Sequence, residues 1–181
     1  MPILFFIALC FIAVIITFFV SRKLSPIPYF PSNKNDIESI VRSLQISNDQ
    51  IVYDLGAGDG IVIFSAASEA FDKKLNTRFI AVEINPVLIV IMWVRRHFHS
   101  NRKNIQILKA DMFTSNFKFQ ISNYKKITFF VYISPWYLEK VFTNCKSQMP
   151  KFKFISYFYP VPKLKSSRTI KGVHNTYIYN V

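Results

Sequence analysis

The chain has 181 residues, of which 51% are hydrophobic and 17% aromatic, so it can form one domain with its own core and is too apolar for a disordered protein. The 23 Lys and Arg residues outnumber the 10 Asp and Glu residues and give a formal net charge of +13. This balance favours an anionic partner, which is nucleic acid, acidic lipid or an acidic protein face, and the alternative is a lysine-rich surface that only keeps the domain soluble.

Cysteine and histidine placement argues against metal and disulfide chemistry. Cys10 and Cys145 are far apart in the sequence, so no disulfide framework is predicted. His97, His99 and His174 form no ligand pattern with cysteine or acidic residues, and we interpret them as surface or packing residues. No metal site is predicted.

Residues 3–20 form an apolar run that only Thr17 interrupts. As a helix the run is about 27 Å long at 1.5 Å per residue, close to the hydrocarbon thickness of a bilayer. Arg22 and Lys23 follow it directly and no basic residue precedes it, so the positive-inside rule places its C-terminal side in the cytoplasm. A cleaved signal peptide, the main alternative, would have a basic start and small residues at a cleavage site. We therefore predict a transmembrane anchor at residues 1–23, in a single-pass membrane protein whose domain faces the cytoplasm.

Residues 24–35 contain Pro26, Pro28 and Pro31, which prevent a regular helix and favour extended backbone. This segment is predicted as a proline-rich linker or an extended lead-in to a domain at residues 36–181.

From residue 36 onward, short apolar strands alternate with amphipathic helices. This pattern predicts an α/β fold with an open, mostly parallel Rossmann-like sheet and crossover helices. A first strand ends at Asp54. The other predicted strands are 78–83, 105–109, 127–133, 152–159 and 177–181, and the predicted helices are 36–44, 61–71, 86–98 and 135–145.

The first strand leads into Gly56, Gly58 and Gly60, three of the four glycines in the chain. Glycine permits unusual backbone angles and lets a ligand lie against the main chain. A strand that passes through such a turn into a helix directs free N–H groups and the positive end of the helix dipole to one place. The turn is therefore predicted to hold a polar ligand.

Polar side chains end four of the predicted strands: Asp54, Glu83, Asp111 and Ser134. In open α/β sheets ligands bind at this carboxyl edge. A dinucleotide site has the spacing G-x-G-x-x-G and no acid beside the pyrophosphate, whereas here Asp54 and Asp59 flank the glycines. Two carboxylates suit a ligand with an ammonium and a sulfonium group, which favours S-adenosylmethionine over a nicotinamide or flavin dinucleotide.

The sequence DLGAGDG at residues 54–60 resembles the first motif of the class I S-adenosylmethionine-dependent methyltransferases. AVEIN at 81–85 and KADM at 109–112 resemble their second and third motifs. The resemblance implies that the three glycines lie along the methionine part of S-adenosylmethionine and that Asp54 faces its ammonium group. It also implies that Glu83 faces the ribose and that Asp111 and Met112 face the adenine. Ordinary strand-end capping is the alternative for Glu83 and Asp111, and Asp59 is either a turn residue or a ligand.

A narrower resemblance concerns the whole arrangement of the chain. The chain combines an apolar N-terminus, PYFPS at 28–32, the three motifs and an aromatic-proline run at 157–162. This arrangement resembles the membrane-anchored lysine methyltransferases that act on the adenine nucleotide translocase and on the c subunit of ATP synthase, with their prokaryotic relatives. The resemblance implies that the 28–32 segment folds over the cofactor. The cofactor-binding positions predicted in this way are Tyr29, Ser32, Asp54, Leu55, Gly56, Ala57, Gly58, Asp59, Gly60, Glu83, Ile84, Asn85, Asp111 and Met112.

After the fourth strand, the chain reads Ser134-Pro135-Trp136-Tyr137. Methyltransferases that act on base amino groups usually have Asp/Asn-Pro-Pro-Tyr/Phe at this place, and this departure disfavours a nucleobase acceptor. The four residues are the candidate acceptor pocket, in which aromatic faces would hold a cationic amine. A packed Trp136 and a helix-starting Pro135 are the structural alternative, and no general base is predicted.

We therefore predict a methyltransferase that uses S-adenosylmethionine and methylates lysine in a membrane-associated protein. An RNA methyltransferase is the first alternative, because basic residues are numerous and include Arg95, Arg96 and the tail at 163–171. A lipid or small-amine methyltransferase and a non-catalytic adaptor with this fold are the others.

Overall fold

The computed structural model describes residues 2–20, 28–114, 116 and 124–181, and only the backbone of residues 2, 8 and 14–20. Helices are α1 (Pro2–Val20), α2 (Ile37–Leu44), α3 (Ile61–Asp72), α4 (Pro86–Phe98) and α5 (Pro135–Gln148), with 3₁₀ turns at Lys34–Asp36 and Arg102–Asn104. Strands are β1 (Gln50–Leu55), β2 (Arg78–Glu83), β3 (Ile105–Lys109), β4 (Lys126–Val131), β5 (Lys153–Tyr157), β6 (Arg168–Ile170) and β7 (Thr176–Asn180).

The strands form one sheet in the order β3-β2-β1-β4-β5-β7-β6. Strands β1 to β5 are parallel to their neighbours, while β7 runs antiparallel to both β5 and β6. The order reverses at β1, which pairs with β2 on one side and β4 on the other. Ligands of open α/β sheets bind at the carboxyl end of such a switch point, so the fold places the candidate site beyond β1. The predicted α/β, mostly parallel Rossmann-like sheet is confirmed.

Helices cover both faces of the sheet and divide the core into two apolar clusters. On one face, α2, α3 and α4 pack through residues such as Ile40, Ile63 and Met92. On the other face, α5 packs through Leu138 and Phe142. Strand β1 is buried along its whole length because both faces are covered.

Strand β6 is the one strand among the described residues that the sequence did not predict. It has three largely exposed residues, too few for a period-two pattern. Its pairing with β7, in the register Thr169↔Tyr177, makes it an edge strand. Strand β5 ends at Tyr157, earlier than predicted, because Phe158 has a φ of +74° and interrupts the extended backbone.

Helix α1 occupies the segment predicted as a membrane anchor. Within the described part of the chain, however, no helix is long and apolar enough to cross a membrane. The predicted anchor is therefore not confirmed. The basic residues Arg22 and Lys23, and Pro26 of the lead-in, lie outside the described residues.

A buried carboxylate joins the start of the domain to its C-terminal hairpin. The side chain of Asp36 accepts hydrogen bonds from the Tyr157 hydroxyl at 2.6 Å, the Val173 N–H at 2.7 Å and the His174 N–H at 2.9 Å. Burial tends to raise the pKa of Asp36, but these hydrogen bonds hold it below its ordinary value. Gly172 leaves room for the carboxylate, since a Cβ there would lie 2.3 Å from Asp36 Oδ1.

We expect Asp36→Asn to lower the free energy of unfolding by about 1–3 kcal/mol, because an amide keeps one acceptor oxygen and turns its NH₂ group towards at least one of the three donors. Chemical denaturation at neutral pH measures this, with exposed Glu38→Gln as the matched control. Because the folded-state pKa is depressed, the stabilisation is present above pH 3.8 and is lost as the pH falls through the folded-state value. The difference between wild type and variant should therefore shrink in acid, and equal stabilities at neutral pH would contradict this role.

Candidate functional site

The turn between β1 and α3 has a backbone that only glycine adopts easily. Gly56, Gly58 and Gly60 have φ values of +77°, +60° and +79°, which are strained for residues with a Cβ. A Cβ on Gly56 would lie 2.8 Å from Met112 Cε, and one on Gly60 would lie 2.6 Å from the Phe64 ring. The glycines are thus required both by the turn and by the close approach of side chains from elsewhere.

The lead-in segment folds over this turn. The ring of Tyr29 lies against Gly58, where a Cβ would be 2.6 Å from Tyr29 Cε2. Burial, and next the charge and hydrogen bonding of Asp59, raise the pKa of Tyr29 to about 12. Arg95 of α4 in turn holds Asp59 through an ion pair of 2.9 Å to Oδ2 and a hydrogen bond of 2.8 Å to its carbonyl oxygen. Asp59 is therefore a structural link between the lead-in segment and α4.

Glu83, at the end of β2, organises the turn from the neighbouring strand. Its Oε2 accepts the N–H of Gly58 at 2.8 Å, and its Oε1 accepts the N–H groups of Ile84 and Asn85 at 2.8 and 2.9 Å. The side chain of Asn85 then caps α4 by accepting the N–H of Val87 at 3.0 Å. One carboxylate thus fixes the glycine turn relative to the start of α4.

Asp54 is the most deeply buried of the acids at this edge, with 3% of its surface exposed. Burial raises its pKa to about 8, and the neighbouring carboxylates of Glu83 and Asp59 add to the rise. A positive charge placed beside these acids would favour ionised Asp54. The site is therefore complementary to a cationic group.

The third acid follows β3. Asp111 Oδ1 accepts the N–H of Phe113 at 2.8 Å, which fixes the turn that carries Met112. The carbonyl oxygen of Met112 accepts a hydrogen bond of 3.0 Å from Asn144 of α5. Met112 is thereby held against Gly56, where an apolar group can cover a flat ring.

These elements enclose a cavity at the carboxyl edge of β1, β2 and β3, which we call the edge cavity. Its walls come from the lead-in segment, the glycine turn, α4 and the residues after β3. The lining residues include Tyr29, Ser32, Asp54, Gly56, Ala57, Gly58, Asp59, Glu83, Ile84, Leu88, Asp111, Met112, Phe113 and Tyr132.

A second depression adjoins the edge cavity at the end of β4, and we call it the aromatic cleft. It is lined by Pro28, Phe30, Tyr132, Ile133, Ser134, Pro135, Trp136 and Tyr159. Tyr132 and Phe30 line both depressions and so stand at their junction. Trp136 is 84% exposed at the mouth of the cleft, which excludes the alternative that it is packed core.

A strained residue shapes the wall of the aromatic cleft. Phe158 has a φ of +74°, a left-handed conformation that is costly for a bulky residue. It is held by the hydrogen bond from its N–H to the carbonyl oxygen of Asn175, at 2.8 Å, and by ring contact with His174. Tyr157 on one side of this residue bonds to Asp36, and Tyr159 on the other side lines the cleft.

The structure brings most of the sequence-predicted residues together at the edge cavity or the aromatic cleft, but four of them line neither. Leu55 is fully buried in the core, Gly60 contacts Phe64, and Asn85 caps α4. Tyr137 packs against Phe113, with ring centres 5.6 Å apart, and does not line the aromatic cleft. Phe30 and Tyr132 are cavity residues that the sequence analysis did not single out. Their only signals in the sequence are an aromatic residue between prolines and a tyrosine ending an apolar strand.

We expect the free energy of unfolding to fall between pH 3.8 and about 8, because the unfolded chain releases the Asp54 proton above pH 3.8 while the folded protein retains it. Asp54→Asn removes this dependence, so the variant should show a shallower decline and exceed the wild type in stability at alkaline pH. Chemical denaturation without ligand across this pH range measures both. Exposed Asp72→Asn is the control and should keep the wild-type slope, and an equally steep decline in Asp54→Asn would contradict the raised pKa.

Comparisons with known proteins agree with this geometry. Residues 29–167 match the family model described as ribosomal RNA adenine dimethylase. A protein-lysine N-methyltransferase of Saccharolobus islandicus is 39% identical over 59 residues, which are 33% of this chain and 34% of that protein. A Xenopus laevis lysine N-methyltransferase named for the C-subunit of ATP synthase is 28% identical over 109 residues, which are 60% of this chain and 43% of that protein.

Among solved structures, the RNA methyltransferase of Salinibacter ruber in complex with S-adenosyl-L-homocysteine superposes with a TM-score of 0.70 at 20% identity, over 83% of this chain and 93% of that one. This likeness shows the fold. The matched segments span less than half the length of the curated lysine methyltransferases. The predicted superfamily is confirmed, and with it the cofactor that the superfamily uses: the chain belongs to the ribosomal RNA adenine dimethylase family of S-adenosylmethionine-dependent methyltransferases.

Proposed function

We propose that the chain methylates the side-chain amine of lysine in a protein, with S-adenosylmethionine bound in the edge cavity. The observation that carries the proposal is the aromatic cleft beside that cavity, whose lining contains aromatic rings, prolines and one serine but no charged side chain. Aromatic faces attract an alkyl-ammonium group and exclude water from it. The lysine methyltransferases that the chain resembles support the same acceptor.

The residues of the edge cavity fit the cofactor. The glycine turn lines the cavity with main chain at Gly56 and Gly58, and the buried carboxylate of Asp54 offers a counter-charge to the ammonium. We assign Glu83 to the ribose hydroxyls, Asp111 to the adenine amino group, and Met112 with Leu88 to the adenine faces. On meeting the positive ligand, Asp54 would lose its proton, since an adjacent cation lowers the pKa of a carboxyl group.

The cofactor supplies a methyl group activated by the sulfonium, so the chain mainly has to orient and desolvate the acceptor. A lysine amine attacks only when neutral, and its ordinary pKa is about 10.4. The uncharged lining of the aromatic cleft lowers that pKa by desolvation, so the ammonium proton can pass to solvent before attack. Burial raises the pKa of Tyr132, so its hydroxyl stays neutral at the junction and can orient the amine lone pair.

RNA is the second candidate acceptor, because the matching family is named for ribosomal RNA and the net charge is +13. Against it, the residues at the end of β4 read Ser134-Pro135-Trp136-Tyr137, which departs from the usual base-amino motif. The exposed position of Trp136 at the cleft mouth suits the alkyl chain of a lysine on a protein surface.

Incubating the full chain with cell membranes, total RNA and methyl-labelled S-adenosylmethionine tests the acceptor. We expect label in protein, at lysine by mass spectrometry, and label confined to RNA or lipid would refute the proposal. Trp136→Ala should reduce transfer on the order of tenfold by loss of the aromatic contact, with cofactor affinity by calorimetry unchanged. Leu164→Ala, which also trims an exposed apolar side chain, is the matched control and should retain full transfer.

We also propose that residues 3–20 anchor the protein in a membrane with the domain on the cytoplasmic side. Support comes from the apolar sequence and from the basic residues that follow it. Membrane proteins would then be the nearest substrates. We expect the full chain to float with neutral phosphatidylcholine vesicles in a density gradient. Such vesicles do not attract the basic residues, so flotation would be due to insertion of the apolar segment. Recovery of the protein in the vesicle-free fraction would refute the anchor.

A further inference from the structure

The outer face of α4 is apolar and uncovered. Leu88, Ile89 and Met92 bury the inner face of this helix against the sheet. A helix that is apolar around most of its circumference is normally covered by another apolar phase. The outward side chains that remain exposed are Val90, Trp93, Val94 and Phe98.

Basic residues border these apolar side chains. Helix α4 contains no acidic residue, and the guanidinium of Arg96 lies over the Trp93 ring at 5.4 Å. A groove at the C-terminal end of the helix lies between the exposed rings of Phe71 and Phe98. Its basic lining residues are Lys74, Arg102 and Lys103. We call the four outward residues of α4, Phe71 and these three basic residues the α4 surface.

We propose that the α4 surface binds the face of a bilayer that contains anionic phospholipids. Exposed Trp and Phe rings prefer the boundary between headgroups and acyl chains. Lys and Arg beside them are attracted to acidic headgroups. A nucleic acid would meet the basic residues but would leave Val90 and Val94 in water, so the combined pattern favours lipid.

The position of α1 supports the same partner. Helix α1 contacts α4 and no other helix to a comparable extent within the described residues. The apolar N-terminal helix therefore lies next to the helix that carries the α4 surface. A bilayer that covers one is positioned to cover the other. Membrane binding by the α4 surface does not depend on which acceptor receives the methyl group. A second contact of this kind would fix the orientation of the domain on the membrane, which an anchor on a linker would not do.

Tryptophan fluorescence tests the α4 surface, because the chain has only two tryptophans. In full-length Trp136→Phe, Trp93 is the sole reporter, and vesicles with brominated acyl chains quench only rings at bilayer depth. We expect several-fold stronger quenching of Trp93 than of Trp136 in the matched variant Trp93→Phe. Trp136 lies in the first turn of α5, the helix that packs on the opposite face of the sheet, and serves as the internal control.

Vesicles of phosphatidylcholine, with and without phosphatidylglycerol, separate the two membrane proposals. Flotation only with the anionic vesicles, with Trp93 quenched, supports the α4 surface and refutes the anchor. Flotation with both kinds, but equal quenching of the two tryptophans, overturns the α4 surface while the anchor stands. Failure to float with either kind overturns both.

Charge variants test whether the basic residues of the α4 surface contribute to membrane binding. Arg102→Gln with Lys103→Gln should weaken Trp93 quenching on anionic vesicles and reduce its sensitivity to salt, with Lys74 still in place. Lys146→Gln with Lys151→Gln changes the net charge equally at exposed residues elsewhere and should leave quenching unchanged. Equal effects of the two pairs would reduce the interaction to general attraction by the net charge and would overturn a defined surface.

Discussion

The backbone of residues 56–60 is the constraint on which the site depends. Three glycines with positive φ turn the chain sharply from β1 into α3, and Glu83 holds that turn by accepting the N–H of Gly58. Because the turn carries no side chains at its closest points, Tyr29 can lie against it from the lead-in segment. The bare main chain of the turn, the carboxylate of Glu83 and the ring of Tyr29 together line the edge cavity, and a Cβ on Gly58 would displace the ring.

The charges of the protein are separated in a way that suits its chemistry. The chain carries a formal charge of +13, yet the carboxylates of Asp54, Glu83 and Asp59 are gathered around the glycine turn. Bringing acids together and out of water is unfavourable unless a cation joins them, and this is reflected in the raised pKa of Asp54. A cationic methyl donor resolves that repulsion, while the basic exterior, including the proposed α4 surface, is complementary to anionic partners.

The walls of the aromatic cleft, the acceptor site that we propose, depend on contacts between distant segments of the chain. Asp36 at the start of the domain binds Tyr157 and the backbone at Val173 and His174. The same C-terminal residues hold Phe158 in its left-handed conformation, and Tyr159 then lines the aromatic cleft. The antiparallel hairpin of β6 and β7 is thus more than an edge of the sheet, because it supports one wall of the cleft.

Local patterns in the sequence were sufficient for the strand-helix alternation, the glycine turn and the acids at the strand ends. Period-two and period-3.6 patterns and the φ preference of glycine are properties of neighbouring residues. The short polar strand β6 and the early end of β5 at Tyr157 lacked such a signal, since pairing with β7 and the turn at Phe158 decide them.

The site divides in the same way. The sequence by itself determined the methyl donor, because DLGAGDG at 54–60 specifies the glycine turn together with its acids. Only the tertiary structure decided that Asp59 links Tyr29 to Arg95, that Tyr132 and Phe30 join the cavity to the cleft, and that Trp93 lies uncovered. The physical reason is that each of these facts depends on the packing of segments far apart in the chain, and no periodicity or local spacing encodes such packing.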